Sequence, residues 1–113
     1  MNQPAPAPVP AARAQLRIEC PDGEVRRHDI ELGHEIVVGR DPACDVVLRA
    51  PEVSRRHAML EIRGDQATLI DLGATNGTFV DGERIDRTEL GNQSEFTVGS
   101  TTLMLIITQT AGM

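Results

Sequence analysis

The sequence predicts an all-β fold: an antiparallel sandwich or barrel built from many short strands. Three observations predict it. Apolar and polar residues alternate at period two in several segments, the pattern of a half-buried strand. Glycine-bearing turns separate those segments at short, regular intervals. No long stretch carries the 3.6-residue periodicity of an amphipathic helix, so the layers must be sheets.

Taken in order, residues 1–13 (MNQPAPAPVPAAR) alternate proline with alanine and are expected to form a flexible leader or linker with little to bury. The folded unit is expected over residues 14–108, with 109–113 as a frayed end. Leu16, Ile18 and Cys20 alternate with Gln15, Arg17 and Glu19, a first strand. Pro21-Asp22-Gly23 makes a turn, and Val25 to Leu32 is the expected return strand. Ile36-Val37-Val38 is β-branched and stops at Gly39, and Val46 to Leu48 is a short strand. Ala58, Leu60 and Ile62 alternate with Met59, Glu61 and Arg63; Gly64-Asp65 then turns into Ala67 to Leu72. Phe79-Val80, Asp81-Gly82 and Glu83 to Ile85 form the strongest hairpin signal in the chain. Phe96 to Val98, Gly99-Ser100 and Thr102 to Ile107 make a closing hairpin.

Composition narrows the function. At 113 residues and 12.3 kDa the chain is one domain. Phe79 and Phe96 are the only aromatic residues, which leaves aliphatic side chains to fill the core and no platform on which bases could stack. The net charge of -6 and pI near 4.9 exclude a general affinity for nucleic acid or anionic membrane. All 11 basic residues are arginine, a bias expected of a GC-rich bacterial genome. Cys20 and Cys44 make no metal-ligand spacing, so no metal or other cofactor is implied. No secretory signal and no run of transmembrane length is visible, which makes the cytoplasm the expected compartment.

Three segments are not explained by strands and ordinary turns: Gly39-Arg40 through Asp45, Ser54-Arg55-Arg56-His57, and Thr75-Asn76-Gly77-Thr78. Each lies where a strand ends or begins, and loops of a sandwich cluster at its ends. Gathered at one end, they suit a phosphate carried on a peptide. Arg40 offers a bidentate, charge-assisted contact. The Ser54 hydroxyl and backbone N–H are neutral donors, Arg55 adds charge, and the Asn76 amide can pair with a peptide backbone. No nucleophile, base or metal accompanies them, so binding without catalysis is expected.

GRDPACDVVL, then VSRRHA, then DLGATNGTFVDGERI, in that order and spacing, resemble a forkhead-associated (FHA) domain over about residues 14–108. The resemblance implies an antiparallel sandwich of about eleven strands that binds phosphothreonine peptides through loops at one end. It implies that Arg40 and Ser54 hold the phosphate with help from Arg55 and Thr75, and that Asn76 holds the ligand backbone. Gly39, His57 and Gly77 would shape the loops. Glu52, two residues before Ser54, would sit on the rim and disfavour an acidic ligand residue beside it.

Plainer readings compete with several of these assignments. Arg40 has carboxylate neighbours in Asp41 and Asp45, and a surface ion pair with either would be worth little. Ser54 could cap a turn. His57 paired with Ser54 as base and nucleophile lacks an orienting acid and an oxyanion site, so a structural role holding the Ser54 loop is expected. Arg56 is expected to be exposed, and Cys44 a small buried filler. At the level of function, the partner is expected to be a phosphothreonine-containing protein or peptide in Ser/Thr kinase signalling. The alternative is an FHA-type assembly or scaffold module that needs no phosphate. A monomer is expected; the competing arrangement is that phosphorylated Thr108 or Thr110 occupies a site in the same or another molecule.

Overall fold

The computed structural model describes residues 12–31, 33–63 and 66–109. Eleven strands are present: β1 (Ala12–Glu19), β2 (Val25–Ile30), β3 (Glu35–Gly39), β4 (Val46–Val47), β5 (Ala58–Arg63), β6 (Gln66–Asp71), β7 (Thr78–Val80), β8 (Glu83–Ile85), β9 (Arg87–Leu90), β10 (Glu95–Val98) and β11 (Thr101–Gln109). They form two sheets, one in the order β2-β1-β11-β10-β7-β8 and the other in the order β4-β3-β5-β6-β9.

The period-two alternation decides which side of each strand faces the partner sheet. In β5, Ala58, Leu60 and Ile62 are buried while Met59 and Glu61 are only half-buried. In β11, Leu103, Leu105 and Ile107 point inward, and across the ladder Leu16 and Ile18 of β1 join them. Phe96 and Val98 complete the first sheet's inner face; Val38, Leu60, Ile62 and Leu69 supply the second's. Phe96 is the largest fully buried side chain, so the hydrophobic core is aliphatic around a single phenyl ring. Each fully buried side chain of this size contributes roughly 1.5–3 kcal/mol. Every buried side-chain nitrogen and oxygen among the described residues has a hydrogen-bond partner.

The turns follow their residues. Asp81 and Gly82 both have positive φ (52° and 79°), as a two-residue type I′ hairpin requires, and Val80 pairs with Glu83 across it. Gly99, at φ 61°, starts the tight connection from β10 to β11.

Several expectations need correction. β1 begins at Ala12 and β11 runs to Gln109, beyond the expected limits, because the two strands keep pairing to Ala12↔Gln109. The return strand β2 ends at Ile30. The second sheet is not purely antiparallel: β4 pairs with β3 in parallel, Val38 opposite Val46. β9 was not foreseen, because only Leu90 of Arg87–Leu90 is buried and three polar residues hide the alternation. The expected Gly64-Asp65 turn, Leu32, Thr110 and residues 1–11 of the leader lie outside the described residues. No helix among the described residues is long and apolar enough to cross a membrane.

Leu60 lies at the centre of β5 with no exposure. Leu60→Ala is expected to lower unfolding free energy by about 3 kcal/mol in urea denaturation, the usual size of a cavity left by a core leucine. A loss below about 1 kcal/mol would mean that the two sheets are not packed together at this point.

Candidate functional site

The end of the sandwich at which β3 stops carries three loops: 40–45 before β4, 48–57 before β5, and 72–77 before β7. Gly39 makes their approach feasible. A Cβ at this position would overlap the Arg55 carbonyl, a backbone group that cannot step aside. With hydrogen there instead, Arg40 N–H donates to Ser54 O (3.0 Å) and Asp41 N–H donates to Arg55 O (3.1 Å). The first two loops are thereby joined backbone to backbone.

His57 joins the second loop to the third. Its side chain is fully buried. Nδ1 accepts from the Ser54 backbone N–H (3.1 Å), and Nε2 stands 2.8 Å from the Gly77 carbonyl oxygen. An N–H can only donate and a carbonyl can only accept, so the ring must carry its proton on Nε2. Its backbone is used as well: His57 N–H donates to Val38 O (2.9 Å), and Leu72 N–H donates to His57 O (3.0 Å). His57 is thus structural. Its Nδ1 faces a backbone amide and cannot serve as base to the Ser54 hydroxyl. The same contact corrects one expectation, since the Ser54 N–H is engaged by His57 and is not available to an anion.

Three of the polar side chains that remain, those of Ser54, Arg40 and Asn76, are each tied by one group and left with others to spare. Ser54 Oγ accepts from Thr75 N–H (3.2 Å), which leaves the hydroxyl proton to donate outward. Arg40 donates through Nε to Val53 O (3.0 Å), which holds the stem while the residue stays exposed. It makes no ion pair with Asp41 or Asp45. Those carboxylates accept from backbone instead, Asp41 from Ala43 N–H (2.8 Å) and Asp45 from Val37 N–H (2.9 Å). Asn76 donates through Nδ2 to Glu52 O (2.9 Å), which orients its amide and leaves Oδ1 and the second amide proton exposed. Arg55, Arg56 and Thr75 are exposed on the same loops.

The rim is formed by neighbouring turns. Glu52 is half-buried, with the Asn76 amide on its carbonyl and Gly99 against its side chain. A Cβ at Gly99 would stand 2.8 Å from Glu52 Cγ. Cys44 is half-buried, not fully buried as expected, and its Sγ donates to Arg55 O (3.2 Å). Burial, helped by the charge of Asp41, pushes its thiol pKa up, so it is a weak nucleophile and a packing group. Among the described residues no group of three or more His, Cys, Asp or Glu side chains could hold a metal ion.

One residue at this end was missed. Arg84 of β8 lays its side chain across Gly77 and donates through Nη2 to Ala74 O (3.2 Å). The Asp81-Gly82 turn contains the signal, because its hairpin register sets Arg84 opposite Phe79, next to the third loop. The suggested self-ligand Thr108 stands elsewhere. β11 leaves the site's end at Thr101 and carries Thr108 roughly 23 Å away along the strand. A folded chain cannot bring Thr108 into its own site.

The FHA domain family model matches residues 36–99, from β3 to the turn after β10. The glycogen accumulation regulator GarA of Mycolicibacterium smegmatis is 37% identical over 68 residues, covering 60% of this chain and 43% of GarA. The chain therefore spans less than half the length of this relative. Among solved structures, one comes from a structural and functional analysis of phosphothreonine-dependent FHA domain interactions. It superposes with a TM-score of 0.74 at 26% identity, over 83% of this chain and 95% of its own. Mycobacterium tuberculosis EmbR, solved with a low-affinity phosphopeptide, superposes with a TM-score of 0.75 at 26% identity over 87% of this chain and 25% of EmbR.

Removing the His57 ring would leave a cavity, an unpaired Ser54 N–H and an unpaired Gly77 carbonyl. His57→Ala is therefore expected to destabilise the chain by about 3 kcal/mol, measured by urea unfolding. Stability equal to that of the unsubstituted chain would show that the loops hold together without it.

Proposed function

The chain belongs to the FHA domain family, and from that premise we propose that its three-loop end binds a phosphothreonine-bearing segment of a partner protein and performs no reaction on it. The observation that carries the reading is the condition of the Ser54 hydroxyl. Its oxygen already accepts from Thr75 N–H, so the hydroxyl presents its proton as a donor, beside an Arg40 whose carboxylate neighbours are engaged elsewhere. A hydroxyl donor on a loop joined to that of a guanidinium in no ion pair among the described residues suits an oxyanion, and no base is in contact with that hydroxyl to make it a nucleophile. The phosphopeptide seen with EmbR and the phosphothreonine-dependent interactions of another relative support the same ligand class.

In this reading Arg40 and Ser54 hold the phosphate, Arg55 and Thr75 assist, and Asn76 Oδ1 receives a backbone N–H of the ligand. Gly39, His57 and Gly77 keep the loops in place. The ligand phosphate carries about −1.5 to −2 charges at neutral pH. Three or four hydrogen bonds to it, at roughly 1.5–3 kcal/mol each and less the cost of ordering a peptide, give a dissociation constant of about micromolar. Such reversible capture fits the readout of a Ser/Thr kinase, with the interaction switched on by phosphorylation of the partner.

Calorimetric titration of a degenerate phosphothreonine peptide library is expected to give heat where its unphosphorylated twin gives none. Heat from neither would exclude phosphate-dependent recognition. Arg40→Ala is expected to abolish the signal while the chain stays folded, with thermal unfolding lowered only by the loss of the Nε–Val53 O hydrogen bond. Binding as tight as that of the unsubstituted chain would remove Arg40 from the site.

Glu52 adds a second expectation. On a peptide array varying the residues after the phosphothreonine, acidic residues should bind worst at the position facing Glu52, and Glu52→Lys should reverse that order. Strongest binding of Asp or Glu by the unsubstituted chain would exclude Glu52 as a selector.

A further inference from the structure

Arg84 and Ser54 hold the same peptide unit from opposite ends. The carbonyl of Ala74 accepts from Arg84 Nη2 at 3.2 Å, and the N–H of the next residue, Thr75, donates to Ser54 Oγ at 3.2 Å. Both groups belong to the single Ala74–Thr75 peptide bond. A trans peptide points its C=O and N–H to opposite sides, and resonance couples them electronically. A cationic donor on the oxygen draws electron density from the nitrogen and makes the N–H a stronger donor. The Ser54 oxygen that accepts from this N–H is in turn made a stronger donor through its own proton.

From this geometry, we propose that Arg84 is a positioning residue for the Ser54 hydroxyl, acting through the Ala74–Thr75 peptide. The inference rests on the phosphate-binding reading of the same site and extends it to a residue outside the three loops. Three further features fit. Arg84 reaches the loop from a paired strand, opposite Phe79 and two residues past the Asp81-Gly82 turn, so its origin is stiff. Gly77 makes room for it: a Cβ there would stand 2.6 Å from Arg84 Nε and 3.0 Å from Cδ and Cζ. Arg84 is exposed, yet it belongs to no ion pair among the described residues, so no carboxylate competes with the Ala74 carbonyl for it.

The relay differs in a measurable way from a free surface charge and from a simple brace. A free charge would attract the phosphate whether or not Ser54 keeps its hydroxyl. A brace would alter stability without a specific link to Ser54. A double-substitution cycle separates these cases. Affinities for an alanine-flanked phosphothreonine peptide are measured by NMR titration for the unsubstituted chain, Arg84→Met, Ser54→Ala and the pair. Arg84→Met is expected to weaken binding about fivefold, the size of one hydrogen bond, and to have little further effect once Ser54 is alanine. In the ligand-free chain the Thr75 amide proton is expected to move upfield in Arg84→Met and in Arg84→Gln, as its hydrogen bond weakens. An equal loss in both backgrounds, no loss in either, or an unmoved Thr75 resonance would each overturn the relay. If the unsubstituted chain failed to bind the peptide, the phosphate reading would fall and the relay with it. Binding by that chain with Arg84→Met indifferent would overturn the relay alone.

Discussion

His57 spends all four of its hydrogen-bonding groups on four different parts of the chain. Its backbone N–H goes to Val38 at the end of β3, its carbonyl to Leu72 after β6, one ring nitrogen to Ser54 and the other to Gly77. The ring is buried, so none of these bonds has water as a substitute, and leaving any one unmade would carry the full desolvation penalty. The imidazole is also directional. It accepts on one side and donates on the other, and the backbone groups it meets allow only one assignment of its proton. The second and third loops are therefore held at one spacing and in one orientation relative to each other.

On that fixed base the remaining side chains are ordered before any ligand arrives. Arg40 is tethered through Nε, Ser54 through its oxygen and Asn76 through Nδ2, and each keeps further groups directed outward. Ordering side chains in advance lowers the entropy lost on binding. The acidic residues contribute by being occupied. Asp41 and Asp45 accept from backbone N–H groups, and Asp71 accepts from the Thr78 hydroxyl at 2.8 Å. A chain with net charge -6 can therefore present, at one end, arginines that make no ion pair among the described residues. Because Debye screening at physiological salt acts over about 8 Å, the local arrangement outweighs the total charge at the site.

Legibility in the sequence varied with the kind of interaction. Alternation in Ala58–Ile62 and Leu103–Ile107 identified strands and their inward faces, because burial of one face is a local, periodic demand. Asp81-Gly82 was legible for a similar reason, since a two-residue turn with positive φ at both positions admits few residue types. β9 was hidden, as an edge strand that buries only Leu90 carries no alternation to read. The parallel pairing of β4 was hidden too, because a two-residue strand holds no record of its direction. Arg40, Ser54, Arg55, Thr75 and Asn76 could be proposed from residue type and order. That the Ser54 N–H is consumed by His57, and that Arg84 reaches the Ala74 carbonyl, could not.

The sequence by itself determined the all-β architecture, the aliphatic core, the acidic balance and the identity of the segments that carry polar chemistry. These follow from local periodicity, turn stereochemistry and composition, which need no knowledge of distant contacts. Tertiary structure alone decided which donor of each polar residue is spent and which is spare. It also decided that Gly39 must lack a side chain because of the Arg55 carbonyl, and that Arg84 and Ser54 share one peptide unit. The reason is physical. Hydrogen-bond availability is a matter of ångström-scale geometry between groups that lie as far as 24 positions apart, and no periodic pattern records it.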